Sequence, residues 1–180
     1  SNVVLGGGQN SFKILANGGS VSGHGGTVQV LPTTGHVRVR ATTAIDVSAI
    51  GTACGACEAG SMQIKSSKID TAANPAPTMV LPALVANGAG DGSGGLIQFV
   101  STGNINLAGV AQAIGGADNG NGGSIDVKAD TGIVAKGSGF IVAAGAEGHG
   151  GMINIDAGSG LLTFDGKFDA SGGTGSGNNF

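Results

Sequence analysis

The chain has 180 residues, a formal net charge of −3 and 38 glycines, with neither Trp nor Tyr. Only 11% of its residues are charged, against about 25% in an average soluble domain, so the basic surface and stacking aromatics that nucleic-acid binding uses are missing. Apolar runs all fall short of the ~20 residues that a membrane-spanning helix needs, and the two cysteines, Cys54 and Cys57, are too few for a disulfide framework.

So much glycine would indicate low complexity if it were not periodic. Here it is periodic. Gly122-Gly123-Ser124-Ile125-Asp126-Val127 returns 28 residues later as Gly150-Gly151-Met152-Ile153-Asn154-Ile155, and 28 residues earlier stands Gly94-Gly95-Leu96-Ile97-Gln98-Phe99. A fixed period of this length marks a protein of stacked repeats. Repeat starts are read at Gly25-Gly26, Ala59-Gly60, Gly94-Gly95, Gly122-Gly123 and Gly150-Gly151, at spacings of 34, 35, 28 and 28. One domain over 1–180 is expected, irregular over 1–93 and regular over 94–177. The first residues show no signal-peptide pattern, as expected of a mature product, an excised segment or an intracellular protein.

Val3-Val4-Leu5 reads as a strand, and Ile14/Ala16 as the end of a partial repeat that enters the turn Asn17-Gly18-Gly19. The first full repeat then offers inward pairs Val28/Val30, Val37/Val39 and Val47/Ala49. The second offers Met62/Ile64, Ile69 and Leu84/Ala86, interrupted by Asn74-Pro75-Ala76-Pro77, which cannot pair as central strand because proline lacks the donor. The third gives Ile97/Phe99, Ile105/Leu107 and Ala111/Ala113. In the fourth, Ile125/Val127 is followed by either Ile133/Ala135 or Val134, then Ile141/Ala143. The fifth gives Ile153/Ile155, Leu162/Phe164 and Phe168/Ala170, and Asn178-Asn179-Phe180 stands where a sixth would begin.

Apolar residues two apart with a polar one between (Gln29, Gln63, Gln98, Asp126, Asn154) are strand patterning with one face inward. Helices would need apolar residues three and four apart. Gly and Asn recur at the turns because they tolerate positive φ, and the recurring alanine predicts a narrow corner. The pattern fits an all-β parallel β-solenoid of about five to six coils of 28–35 residues, with about three short strands each. Strands stacked about 4.8 Å apart would make a rod about 30 Å tall. Neither terminus reads as a cap, although an open end exposes unpaired backbone. The chain is therefore expected either to continue into further repeats or to have its ends covered by other copies of itself.

Strands ending in Phe168-Asp169-Ala170-Ser171-Gly172-Gly173, with Gly/Asn turns and Gly-Gly-x-Ile-x-Val starts, resemble the secreted β-helix surface proteins of bacteria. These are the filamentous-haemagglutinin-like and autotransporter-passenger adhesins. The resemblance implies a right-handed parallel β-helix, export to the cell surface, and an adhesive or scaffolding role.

Cys54 and Cys57 lie in a glycine-rich turn without the further Cys or His ligands a zinc site needs. A small local disulfide pinning that turn is expected in an oxidising compartment. His24 and His149 share a repeat position four coils apart, near ~19 Å, too far for one metal; His36 carries no partner signal. Glu58, Asp91, Asp118 and Glu147 fall in corresponding turns and are the candidate Ca²⁺ ligands, since that ion takes six to eight oxygens; the nine-residue period of the calcium-binding β-roll is absent, and solvated turns are the simpler account. The Gln/Asp/Asn column is expected to form an amide ladder along the rod. Arg38 and Arg40 point outward without a facing carboxylate cluster.

Three functions follow in order. The first is a non-catalytic extracellular or cell-surface structural or adhesive segment, with neither a cofactor nor a membrane span. The second is a filament subunit that stacks through Val3, Val4 and Leu5 at one end and Asn178, Asn179 and Phe180 at the other. The third is a polysaccharide-active enzyme, disfavoured because the rings that stack on sugars are missing.

Overall fold

The computed structural model describes residues 2–5, 12–32, 34–39, 43–70 and 83–174, and among them the chain is all β, without a helix. Asn74–Pro77, Arg40 and Asn178–Phe180 lie outside the described residues. The early strands are β1 (Val3–Leu5), β2 (Phe12–Leu15), β3 (Thr27–Val30), β4 (His36–Val39) and β5 (Thr43–Asp46). Next come β6 (Ala56–Cys57), β7 (Ser61–Ser66), β8 (Lys68–Asp70), β9 (Ala83–Val85) and β10 (Ala89–Gly90). The last are β11 (Leu96–Ser101), β12 (Ile105–Gln112), β13 (Ser124–Ala129), β14 (Gly132–Ile141), β15 (Met152–Asp156) and β16 (Leu161–Asp169).

Two sheets, one of nine strands and one of five, are parallel throughout, and β6 with β10 forms a small antiparallel pair. Neither large sheet closes on itself. The five-stranded sheet runs β15-β13-β11-β7-β3 and collects the strands that open successive repeats. Its registers join Val28, Met62, Ile97, Ile125 and Ile153 in one column and Val30, Ile64, Phe99, Val127 and Ile155 in another. Parallel neighbours need a crossover between them. Here each crossover is a visit to the nine-stranded sheet, so the chain alternates between the two.

The nine-stranded sheet is forked. β1, β4 and β8 lead to the first half of β12, β2, β5 and β9 lead to its second half, and β14 and β16 extend it as long strands. Three short strands per repeat therefore describe the early repeats; from β12 onward the second and third strands run together. β16 bends between its two arms. Phe164 and Phe168 would lie about 13 Å apart on a straight strand, yet their rings stack with centroids 3.9 Å apart.

Ile133 and Ala135 are the inward residues of the fourth repeat, beside Ile105 and Leu107. Two other inward assignments need correction. The third-strand column is Ile14, Ile45, Leu84, Ala111, Phe140 and Phe168, so it contains Ile45 rather than Val47 and Phe140 rather than Ile141. β14 carries one residue more than its neighbours between Lys136 and Ser138, and a one-residue bulge reverses which face each later side chain takes. In the first full repeat the offset is two residues, which preserves the face; Val47 and Ala49 still point in, one row along. The corner column is consequently Ala16, Val47, Ala86, Ala113, Val142 and Ala170, and the corner admits valine.

Inward residues of both sheets share one core, with Ile45, Ile64, Ile69, Ile97, Ile105 and Ile125 fully buried. At the turn into the five-stranded sheet, successive repeats meet backbone to backbone. Gly123 N–H donates to the Ala113 carbonyl at 2.7 Å and Ser124 N–H to the Gly95 carbonyl at 2.9 Å; a Cβ on Gly123 would overlap the Gly95 carbonyl oxygen. Phe99→Ala is expected to lower the unfolding free energy by about 3–5 kcal/mol. Gln98→Ala, on the outer face, should cost less than about 1 kcal/mol. Gly123→Ala should exceed the ordinary Gly/Ala difference of about 1 kcal/mol and change its sign, because the new methyl meets backbone. Denaturant unfolding of the three variants checks the ranking.

Candidate functional site

Cys54 and Cys57 are joined by a disulfide with a Cα–Cα separation of 5.6 Å. The loop they close is held from both sides. Gly23 N–H of the preceding turn donates to Cys57 Sγ at 3.2 Å. On the other side β6 pairs with β10, and Asp91 N–H donates to the Gly55 carbonyl at 2.8 Å. Cys57 is buried, and these bonds join the bridged loop to the turns before and after it.

His24 and His149 occupy one column with Glu58, Ser93 and Asn121, as the backbone bonds from Gly25, Ala59, Gly94 and Gly122 show. The side chain at this position serves the next repeat. Glu58 N–H donates to His24 Nδ1 at 3.1 Å, and His149 N–H donates to Asn121 Oδ1 at 2.8 Å. His36 opens β4, where its N–H donates to Asn2 Oδ1 at 3.0 Å.

The four candidate calcium ligands do not converge. Glu58 stands in the histidine column. Asp91 Oδ1 accepts from both the backbone N–H and Nδ2 of Asn119, at 3.0 and 2.8 Å. Glu147 N–H donates to the Asp118 carbonyl at 3.2 Å, a backbone bond that leaves both side-chain carboxylates out of it. The turns differ in length, so acids at similar sequence places fall in different rows. Among the described residues, no group of three or more His, Cys, Asp or Glu could hold a metal ion.

On the outer face of the five-stranded sheet, Gln29, Gln63, Gln98, Asp126 and Asn154 form one row. Gln63 Nε2 donates to Gln98 Oε1, and Asn154 Nδ2 donates to Asp126 Oδ1 at 2.9 Å. An open trough of about 460 Å³ crosses this face over Gln98, Asp126, Lys128, Asn154 and Asp156. Its carboxylates are already engaged. Asp126 also accepts from Ser124 Oγ at 3.3 Å, while Asp156 accepts from Gly158 N–H at 2.9 Å and lies 3.7 Å from Lys128 Nζ.

Two features escaped the sequence reading. Phe140, Phe164 and Phe168 form an aromatic cluster at the β16 edge; its signal, Phe164 and Phe168 both inward on one strand, was present, but Phe140 was hidden by the bulge. Beside it, the hydrogen bond from Lys167 Nζ (2.9 Å) holds the Asp169 carboxyl well below the usual range, at about 2. Ser171 adds its hydroxyl at 2.8 Å and its N–H at 3.2 Å. Lys167 and Asp169 alternate at the end of β16, and Ser171 follows just beyond it, two residues on. At the opposite edge Val3 and Leu5 are half-buried and Val4 faces solvent.

No family model, curated protein or solved structure matches the chain. Among the described residues, no helix is long and apolar enough to cross a membrane.

Because its folded pKa is depressed, Asp169 contributes stability above its ordinary value of 3.8 and loses that contribution as pH falls towards about 2. A carboxyl NMR titration should place its midpoint near that lower value, and Lys167→Met should move it upward. Replacing both Cys54 and Cys57 with serine is expected to reduce stability by at most about 2 kcal/mol, since the closed loop is short. Faster amide exchange should be confined to residues 51–58 and 89–92; exchange spreading through both sheets would contradict a local staple.

Proposed function

We propose that the chain is a segment of a right-handed parallel β-helix with a non-catalytic, structural or adhesive task at a bacterial cell surface or outside the cell. The observation that carries this reading is the strand order. Successive repeats add one strand to the five-stranded sheet, always on the same side, and visit the nine-stranded sheet in between. A chain that does this winds, and crossovers between parallel strands are right-handed in about 98% of cases.

The repeat texture, similar to that of filamentous-haemagglutinin-like and autotransporter-passenger adhesins, supports an exported surface role. The Cys54–Cys57 bridge supports an oxidising compartment. A non-catalytic task is supported by carboxylates already engaged with neighbours and by the lack of Trp and Tyr for sugar stacking.

Incubated with a panel of acidic and neutral polysaccharides, the chain is expected to release neither reducing nor unsaturated ends. Displayed on a bacterial cell, it should raise attachment to protein- or glycan-coated surfaces. Product release that disappears when Asp126 or Asp156 is replaced would make the protein an enzyme and overturn the reading.

A further inference from the structure

The two sulfurs of the Cys54–Cys57 bridge stand in unlike surroundings. Cys57 is 4% exposed. The turn before it supplies the Gly23 N–H to its Sγ at 3.2 Å. The turn after it lies so close that a Cβ on Gly92 would overlap the Cys57 backbone. Cys54 is half-buried, and the residues on either side of it, Thr52, Ala53, Gly55 and Ala56, are all exposed. A Cβ on Gly55 would meet nothing within 4 Å, so the tip of the loop beside Cys54 is open.

Disulfide exchange distinguishes between two sulfurs, since one must be reached by a thiolate and the other must leave as one. Access favours attack at Cys54. Departure favours Cys57, because a hydrogen bond to the charged form stabilises it, and the Gly23 N–H is already directed at Cys57 Sγ. Burial of Cys57 opposes a thiolate there, and the N–H offsets that cost until a proton arrives from solvent. Exposure and hydrogen bonding are separate observations, and they give the bridge the same polarity.

The geometry points to Cys54 as a site of reversible S-thiolation by a small aliphatic thiol. The external thiolate forms a bond to Cys54 Sγ as the Cys54–Cys57 bond breaks, and Cys57 leaves as a thiolate that takes up a proton. One disulfide replaces another, so no further oxidant or reductant is consumed. A small thiol suits the site better than a cysteine on a protein surface, because Cys54 is itself only partly exposed. The loop is held by more than its bridge. Thr52 N–H donates to the Ser20 carbonyl at 3.2 Å, Ala53 N–H to the Val21 carbonyl at 3.0 Å and Asp91 N–H to the Gly55 carbonyl at 2.8 Å. Cys57 therefore stays near the adduct, where its attack on Cys54 Sγ expels the small thiol and restores the bridge. This exchange stands apart from the surface role proposed above and does not depend on it.

Mercaptoethanol is the probe. The folded, oxidised chain is incubated with it, quenched with acid, alkylated with a maleimide in denaturant and mapped by mass spectrometry. Early in the reaction, mercaptoethanol on Cys54 with maleimide on Cys57 is expected in at least about tenfold excess over the reverse arrangement. Adducts divided equally or carried by Cys57 overturn the inference, as does a bridge that stays closed until denaturant unfolds the chain. Single variants give a second readout that does not depend on catching the adduct. With hydroxyethyl disulfide, the Cys54 thiol of C57S is expected to react at least about tenfold faster than the Cys57 thiol of C54S in the folded chain, and the advantage should vanish in denaturant. Equal rates in the folded chain, the reverse order, or an advantage that persists in denaturant overturn it.

Discussion

The parallel hydrogen-bond ladder between successive repeats constrains every other feature of the molecule. It holds each strand about 4.8 Å from its counterpart in the next repeat, so whatever occupies a position must pack against its own equivalent. Apolar residues satisfy this by stacking, as Met62, Ile97 and Ile125 do. Polar residues satisfy it by bonding along the stack, as Asn154 does with Asp126 and as Glu58 N–H does with His24. At the turn into the five-stranded sheet two backbones meet with no room for a side chain, and Gly122 and Gly123 are placed there because a Cβ on either would overlap a carbonyl oxygen of Val142 or Gly95.

This constraint also decides what the sequence could show. The five-stranded sheet is legible to the residue, because each of its strands follows Gly-Gly, or Ala59-Gly60 before β7, which resets the register, and then alternates without interruption. In the nine-stranded sheet alternation takes Val47 for Ile45, leaves Ile133/Ala135 against Val134 open, and fails after Ala135 in β14, while Leu162, Phe164 and Phe168 of β16 read correctly. Within β14 the additional residue between Lys136 and Ser138 changes the face of the residues up to Ile141, and alternation alone cannot reveal an inserted residue. For the same reason alternation points to Ile141 where the structure has Phe140. Fusion of the second and third strands into β12, β14 and β16 was equally hidden, since a bend within one strand and a turn between two look alike in apolar spacing.

Candidate sites were harder to read than the fold because they lie in the turns, where lengths vary. Asp91 and Asp118 sit at comparable places in their turns, yet Asp91 accepts from Asn119 through its side chain while Asp118 donates its backbone N–H to the Gly90 carbonyl. Reading a ligand set from such positions requires the row of each residue, which only the inter-repeat bonds supply. Among the described residues, large apolar side chains are exposed on β1, β2, β15 and β16 and at Val21, Leu31 and Ile50.

The account stands on parallel, in-register stacking of residues 28 apart in the later repeats. Backbone NMR on the isotope-labelled chain tests it most directly. Cross-strand contacts are expected between Ile97 and Ile125 and between Ile125 and Ile153, with α protons and amide protons in the parallel pattern. Antiparallel contacts joining β13 to β14 as a hairpin, with no contact between Ile125 and Ile153, would contradict it.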